Sequence, residues 1–313
     1  MVRVETRGSV IRMLGPIEIT GAGGTLPLGG PRARRLLAAL ALRANRPVSV
    51  TFLIDAAWGD RPPATCRDQV TNLTGRLRHR LGAVADVRLS RVGDAYQLSV
   101  ESGRIDVHAF EAALDRTRAR AAADDLAGAA ELGRRALSLW YGDALGGPPD
   151  GPLAAEAARL EEQRLAAYAE LLAAELALGR PEVVVGEATP LVRRHPFQER
   201  LVGQLMTALH ATGRSAEALQ VFRGHRRRLL DELGVEPDPA VRALERQIAR
   251  ETRPGPAHPS TPDLELHVLL GQLADATAAV ARYLRGGDGH GRSADVERLV
   301  REGVVQHRHG QIR

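Results

Sequence analysis

The sequence has no lysine; all 43 of its basic Lys/Arg positions are arginine. With Ala and Gly abundant, this reads as the codon bias of a GC-rich genome, so Arg in place of Lys carries no functional weight. Aromatic residues make up 3%, which suits helices packed on Ala and Leu better than a β-sandwich. The single cysteine, Cys66, excludes an internal disulfide. No apolar run of about 18 residues occurs and no hydrophobic signal region opens the chain, so the expectation is a cytoplasmic protein with no membrane partner. The HExxH and GxSxG motifs are absent, as is a P-loop with its GK pair. The expectation is therefore no enzyme: no catalytic residues, no cofactor and no metal. His307 and His309 read as part of a basic tail rather than as ligands.

What is present is a globular composition, 44% hydrophobic and 26% charged over 313 residues, enough for two domains. The net charge of +5 hides an asymmetry. Residues 1–100 carry 15 Arg against 7 acidic residues, residues 101–252 carry 20 against 24, and residues 253–313 carry 8 against 7. A basic first third facing a polyanion is one reading; uneven surface charge without meaning is the other.

Residues 10–19, VIRMLGPIEI, alternate loosely around Gly-Pro and predict short strands; TLPLGG predicts another. Pro31 opens a helix whose Leu36, Leu37, Leu40 and Ala44 recur at helical spacing. Ser49 caps a second helix that Gly59 ends. Thr65, with Asp68 three residues on, approximates a capping box for a third. VRLSRVGDAYQLSV forms two alternating runs joined at Gly93-Asp94, a hairpin signal. Strands, three helices and a hairpin outline a winged helix-turn-helix.

From Asp106 to Glu251 the pattern is almost wholly helical. Leu171/Leu205, Ala174/Ala208, Gly179/Gly213 and Arg180/Arg214 recur 34 residues apart, the period of tetratricopeptide helix pairs, although an Ala/Leu-rich chain can produce such matches by chance. A helix ends at Gly234, a Pro237/Pro239 turn follows, and a last helix begins. The expected fold is mainly α: an N-terminal winged helix-turn-helix (α+β) over 1–104, then an all-α tetratricopeptide-like repeat domain over 105–252. A linker over 253–262 and a C-terminal helical extension of unassigned role over 263–313 follow.

The third helix shows what the first module faces. On a wheel, Val70, Leu73, Leu77 and Leu81 form the packing stripe. Asp68, Asn72, Gly75 and His79 lie opposite, flanked by Gln69, Arg76 and Thr71. Asn and Gln pair with adenine, Arg with guanine and Asp with cytosine, so Asp68, Gln69, Asn72, Gly75, Arg76 and His79 are the candidates for base readout. Gly75 costs about 1 kcal/mol of helix stability relative to Ala. A backbone lying deep in a groove would recover that cost; a merely tolerated surface glycine would not. Arg32, Arg34 and Arg35 at the first helix, Thr71 and Arg78 on the third, and Arg88 and Arg91 in the hairpin are candidates for phosphate or minor-groove contact. Any one of these arginines alone reads as a solvated surface residue. Trp58 and Trp140 read as core.

These residues resemble a known family. GGPRARRLLAALALRANRPVSVTFLIDAAWGDRPPAT followed by GRLRHRLG looks like the OmpR-type DNA-binding domain of the Streptomyces antibiotic regulatory proteins, and LGVEPDPAVRALERQI resembles the end of their bacterial transcriptional activator domain. The resemblance covers roughly residues 10–252. It implies a pathway-specific activator of antibiotic biosynthesis, bound to double-stranded promoter DNA at direct repeats as a homodimer and contacting RNA polymerase holoenzyme. Thr51-Phe52 stands where the family usually has an acidic pair, and Leu73, Thr74 and Gly75 replace what is commonly an aromatic, a valine and a serine. The winged helix starts close to residue 1, so no receiver domain is expected before it. Two other readings stay open: a helical-repeat adaptor with weak DNA binding, and a repressor using the same winged helix.

Overall fold

Ten helices and two small sheets follow from these patterns in the computed structural model, which describes residues 10–21, 24–82, 84–147 and 151–252. The linker, the helix expected over 263–285, and His307 and His309 lie outside the described residues. Strands β1 (Ile11–Arg12), β2 (Glu18–Gly21) and β3 (Gly24–Leu26) form an antiparallel sheet with Ile11 opposite Ile19 and Ile19 opposite Leu26. Helix α1 (Pro31–Ala41) follows; Ala44, expected on its apolar spacing, falls in the turn beyond its end. In that turn Asn45 adopts φ +66°, and its side chain bonds both backbone groups of Val100 at 2.8 and 3.1 Å.

Strand β4 (Val48–Ser49) leads into α2 (Val50–Trp58), whose cap is as expected: Ser49 accepts the N–H of Phe52 at 3.2 Å. Helix α3 (Cys66–Leu81) differs at its start. Thr65 makes no capping bond there; its hydroxyl oxygen receives the amide of Gln69 at 3.0 Å instead. Strands β5 (Arg88–Val92) and β6 (Ala95–Ser99) form the wing, turning at Gly93 with φ +59°, and β4 pairs on the far side of β6.

The helical part contains α4 (Asp106–Ala122), α5 (Leu126–Leu137), α6 (Pro152–Ala177), α7 (Pro181–Arg194), α8 (Glu199–Ala211), α9 (Ser215–Leu233) and α10 (Pro239–Thr252). The matches 34 residues apart fall on equivalent bonds. Gly179 and Gly213 end α6 and α8 at φ +70° and +76°, each donating to the carbonyl three residues back at 3.0 Å. Arg180 and Arg214 then donate to the carbonyl five residues back, at 2.9 and 2.8 Å. A third turn repeats this design where no glycine marks it. Asp124 takes φ +61° and donates to Ala121, and Asp125 donates to Arg120 at 3.0 Å, which turns α4 into α5. Three stacked helical hairpins result.

One hydrophobic cluster runs from Val10 through Leu36, Leu53 and Leu98 to Phe110, Trp140 and Leu160, crossing residues 104/105 without a break. Phe110 and Trp140 meet edge to face at 5.4 Å. Ile11 bridges Ile105, and Tyr141 donates its N–H to Leu14 at 3.0 Å. Gly15 is required here, because a Cβ would stand 2.5 Å from the Tyr141 ring. A second cluster joins α6 to α10 around Leu172, Met206 and Phe222.

Candidate nucleic-acid interface

Helix α3 is held against α1 and α2 by Val70, Thr74, Leu77 and Leu81, all buried. The expected stripe is corrected at one step: Leu73 is only half buried and Thr74 takes the core position at 1% exposure. The hydroxyl makes that possible, since it donates to the carbonyl of Val70 at 2.8 Å and is not left unpaired.

The polar side chains of α3 from Arg67 onward divide into two groups. Six are bound into the fold. Arg67 faces Asp94 of the wing turn at 3.4 Å, Gln69 bonds Thr65, Thr71 bonds the carbonyl of Arg67 at 3.1 Å, and Thr74 bonds Val70. Arg78 donates to the carbonyl of Leu89 in β5 at 2.9 Å, and Arg80 to the carbonyl of Leu28 at 2.7 Å. The second group is Asp68, Asn72, Arg76 and His79, which are exposed and make no hydrogen bond or ion pair with any described residue. Their spacing of four, four and three places them on one continuous stripe. Gly75 lies on the same side, half exposed, and a Cβ there would meet nothing within 4 Å.

The arginines expected at phosphates are placed differently from one another. Arg88 and Arg91 are exposed on β5, with Arg91 donating to the carbonyl of Gly93 at 3.1 Å across the wing turn. Arg32 lies 5.4 Å from the Trp58 ring, which is half buried rather than core. Arg35 is half buried and directs one N–H toward the carbonyl of Ala57 at 3.5 Å. Arg32 and Arg35 share a cleft with Arg61 and Leu73, whereas Arg34 lines a different one, against Leu145 and Leu153 of the helical part. Arg61, exposed in the loop before α3, was not singled out from the sequence, because a loop position has no periodicity to mark it.

Asp106 was not singled out from the sequence either, and its role is structural. It is 1% exposed, and its carboxylate accepts the N–H groups of Met13, Leu14 and Val107 at 2.8–3.0 Å. Burial raises its pKa to about 6, against the pull of those three bonds and of Arg12. Burial likewise lowers His108, with Glu111 opposing. Tyr141, whose ring receives Arg12 at 3.8 Å, is held protonated by its own burial. Asp106, Arg12 and Tyr141 lock the first sheet onto α4 and the turn after α5.

A winged helix whose third helix presents an unengaged polar stripe, carried on stacked helical hairpins, defines the class of winged-helix transcriptional regulators. The family model described as bacterial transcriptional activator domain matches residues 105–249. The regulatory protein AfsR of Streptomyces coelicolor is 37% identical over 270 residues, covering 86% of this chain and 25% of its own. The regulatory protein DnrI of Streptomyces peucetius is 34% identical over 271 residues, covering 82% of this chain and 99% of its own. Among solved structures, Mycobacterium tuberculosis EmbR, in complex with a low affinity phosphopeptide, superposes with a TM-score of 0.71 at 32% identity, over 84% of this chain and 70% of that one. The chain thus spans about a quarter of the length of AfsR and nearly all of DnrI. It belongs to the Streptomyces antibiotic regulatory protein family, whose members regulate transcription and are not enzymes. Among the described residues no helix is long and apolar enough to cross a membrane.

Proposed function

We propose that this chain is a sequence-specific, DNA-binding transcriptional activator of secondary-metabolite genes, working in the cytoplasm. The observation that carries this reading is the division within α3. Six polar side chains bond within the fold, and the four left over form one stripe that includes the residue types that read base edges. Asn72 and Arg76 read purines in the major groove, Asp68 and His79 flank them, and Gly75 lets the backbone approach. Gln69, tied to Thr65, reads only from the edge of the stripe. Arg88 and Arg91 on the wing and Arg32 beside Trp58 supply phosphate or minor-groove contacts. Thr71 and Arg78 position rather than read, and Arg34 and Arg35 add charge behind α1.

Two protomers bind side by side on direct repeats, and residues 105–252 engage RNA polymerase holoenzyme. The acidic balance of that domain, 20 Arg against 24 acidic residues over 101–252, keeps it off DNA and free for protein. The test is retardation and footprinting of the full chain on DNA flanking its own gene. Arg76→Ala should cost about 1–3 kcal/mol on the footprinted site and little on random DNA. An equal loss on both removes Arg76 from base readout.

A further inference from the structure

The face of the helical hairpins between α5 and α7 is left uncovered, and α6 forms its floor. Leu165 and Tyr168 of α6 and Leu191 of α7 are half buried there, and Pro190 is exposed at the edge. Pro190 has no N–H to give, so the carbonyl of Gly186 lacks its helical donor. This cleft shares Leu165, Arg194 and His195 with a second one along the first half of α6, where Ala154 and Ala158 are exposed and allow close approach. From Ala154 to Leu171 the floor rises through 17 residue steps, about 25 Å at about 1.5 Å per residue.

That is the length and openness of a seat for a helix of about four to five turns, not of an enclosed small-molecule pocket. Its charge is graded. Arg134 and Arg164 line the α5/α7 end, where Glu187 is the one acid in the lining; Arg134 also pairs with the buried Glu175 at 2.8 Å and Arg164 with Glu161 at 3.6 Å, and Arg194 stands where the two ends meet. Asp143, Glu161 and Glu162 line the other end. Two of the arginines can accept a new partner. Arg194 is bound to Asp143 with both side chains 56% exposed, a pairing of little strength in water. Arg134 directs one nitrogen to the buried Glu175 at 2.8 Å and keeps other donors of its guanidinium to spend. Buried within the same end, Nε of Arg164 has no hydrogen-bond partner.

We propose that this trough is where the activator holds its protein partner: an amphipathic helix of the polymerase holoenzyme, apolar toward Leu165, Tyr168 and Leu191 and acidic where it crosses Arg134 and Arg194. The proposal rests on the activator reading above and adds to it the surface and the chemistry of the partner. Arg194→Glu reverses one exposed charge where the two ends meet; Leu191→Glu places a carboxylate in the apolar seat, and thermal melts check that it still folds.

Both variants, in the full chain, should bind promoter DNA as the wild type does, bind purified RNA polymerase holoenzyme at least tenfold more weakly, and lose transcript in proportion. Wild-type affinity for polymerase in Arg194→Glu would overturn the trough as the docking site while leaving the activator reading intact. So would a change in the number of protomers on DNA, which would make the trough a contact between copies. Failure of the wild-type chain to bind promoter DNA or to raise transcription is a different result, and it would sink the activator reading itself.

Discussion

Asp106 and Met13, 93 positions apart in sequence, are joined by the backbone N–H of Met13 donating to the Asp106 carboxylate at 2.8 Å. The bond ties the residue that follows β1 to the first turn of α4, so the winged helix and the helical hairpins share a buried polar contact as well as one core. Burial raises this carboxyl from 3.8 to about 6. The folded state therefore holds a proton that the unfolded chain has already released between those values. The group's contribution to stability is fully present below about 4 and is lost as pH rises toward 6, by roughly 3 kcal/mol at 1.36 kcal/mol per unit. Asp106→Asn removes the titration. Denaturant unfolding at pH 4 and pH 7 should show the wild type losing stability relative to the variant on going up in pH. A difference that stays constant would mean the carboxyl titrates normally in place.

Gly75 should respond oppositely in two measurements. A Cβ there meets nothing within 4 Å, so Gly75→Ala should stabilise the chain by about 1 kcal/mol through helix propensity alone. On promoter DNA the same methyl group would stand between backbone and bases, and specific affinity should fall. Unchanged or tighter binding would make Gly75 a tolerated surface glycine.

Arg76 and Arg78 are neighbours with different duties. Nε of Arg78 is committed to the Leu89 carbonyl, which fixes the wing to α3. Arg78→Ala should therefore lower thermal stability and weaken binding to specific and random DNA alike, through a misplaced wing. Arg76→Ala should leave the melting temperature unchanged. A stability loss at Arg76 would mean it has a partner in the fold.

Much of this was legible because local chemistry decided it. Pro31, Ser49, Gly59, the Gly93 turn and the Gly234 stop each enforce their element, and 34-residue spacing exposed two hairpin turns. The first hairpin stayed hidden because Asp124 fills the place of Gly179 and Gly213, and because the interval from Asp124 to Gly179 is not 34 residues. Leu73 was expected in the core stripe that Thr74 enters instead, because the Thr74 hydroxyl can be satisfied within the helix, which polarity alone does not reveal. The Asp106 contact depends on Met13, just after β1 and 93 positions away, beyond the reach of any local pattern.

The hidden turn yields its own test. A residue with a Cβ in the left-handed region costs roughly 1–2 kcal/mol, and Asp124 sits there at φ +61°. Asp124→Gly should be neutral or slightly stabilising in thermal melts, whereas Gly213→Ala, at φ +76°, should lower stability by about 1 kcal/mol. Destabilisation of Asp124→Gly by as much as Gly213→Ala would show that the aspartate side chain, not the backbone conformation, holds that turn.

The reach of one protomer sets the layout of its binding site. The stripe from Asp68 to His79 rises through 11 residue steps, about 16 Å of helix. At 3.4 Å per base pair that covers at most about five pairs. Five pairs recur far too often in a genome to direct a regulator, so specificity requires a second protomer. Protomers bound side by side in one orientation present their α3 helices to the same face of the duplex. Their repeats should then lie about one helical turn, roughly 10–11 bp, apart. Inserting about 5 bp between the repeats rotates one site half a turn away and should abolish cooperative binding of the full chain. Inserting about 10 bp restores the face at a greater distance and should recover part of it. Equal affinity at every spacing in a retardation assay would show that the protomers bind independently, and the direct-repeat layout would have to be given up.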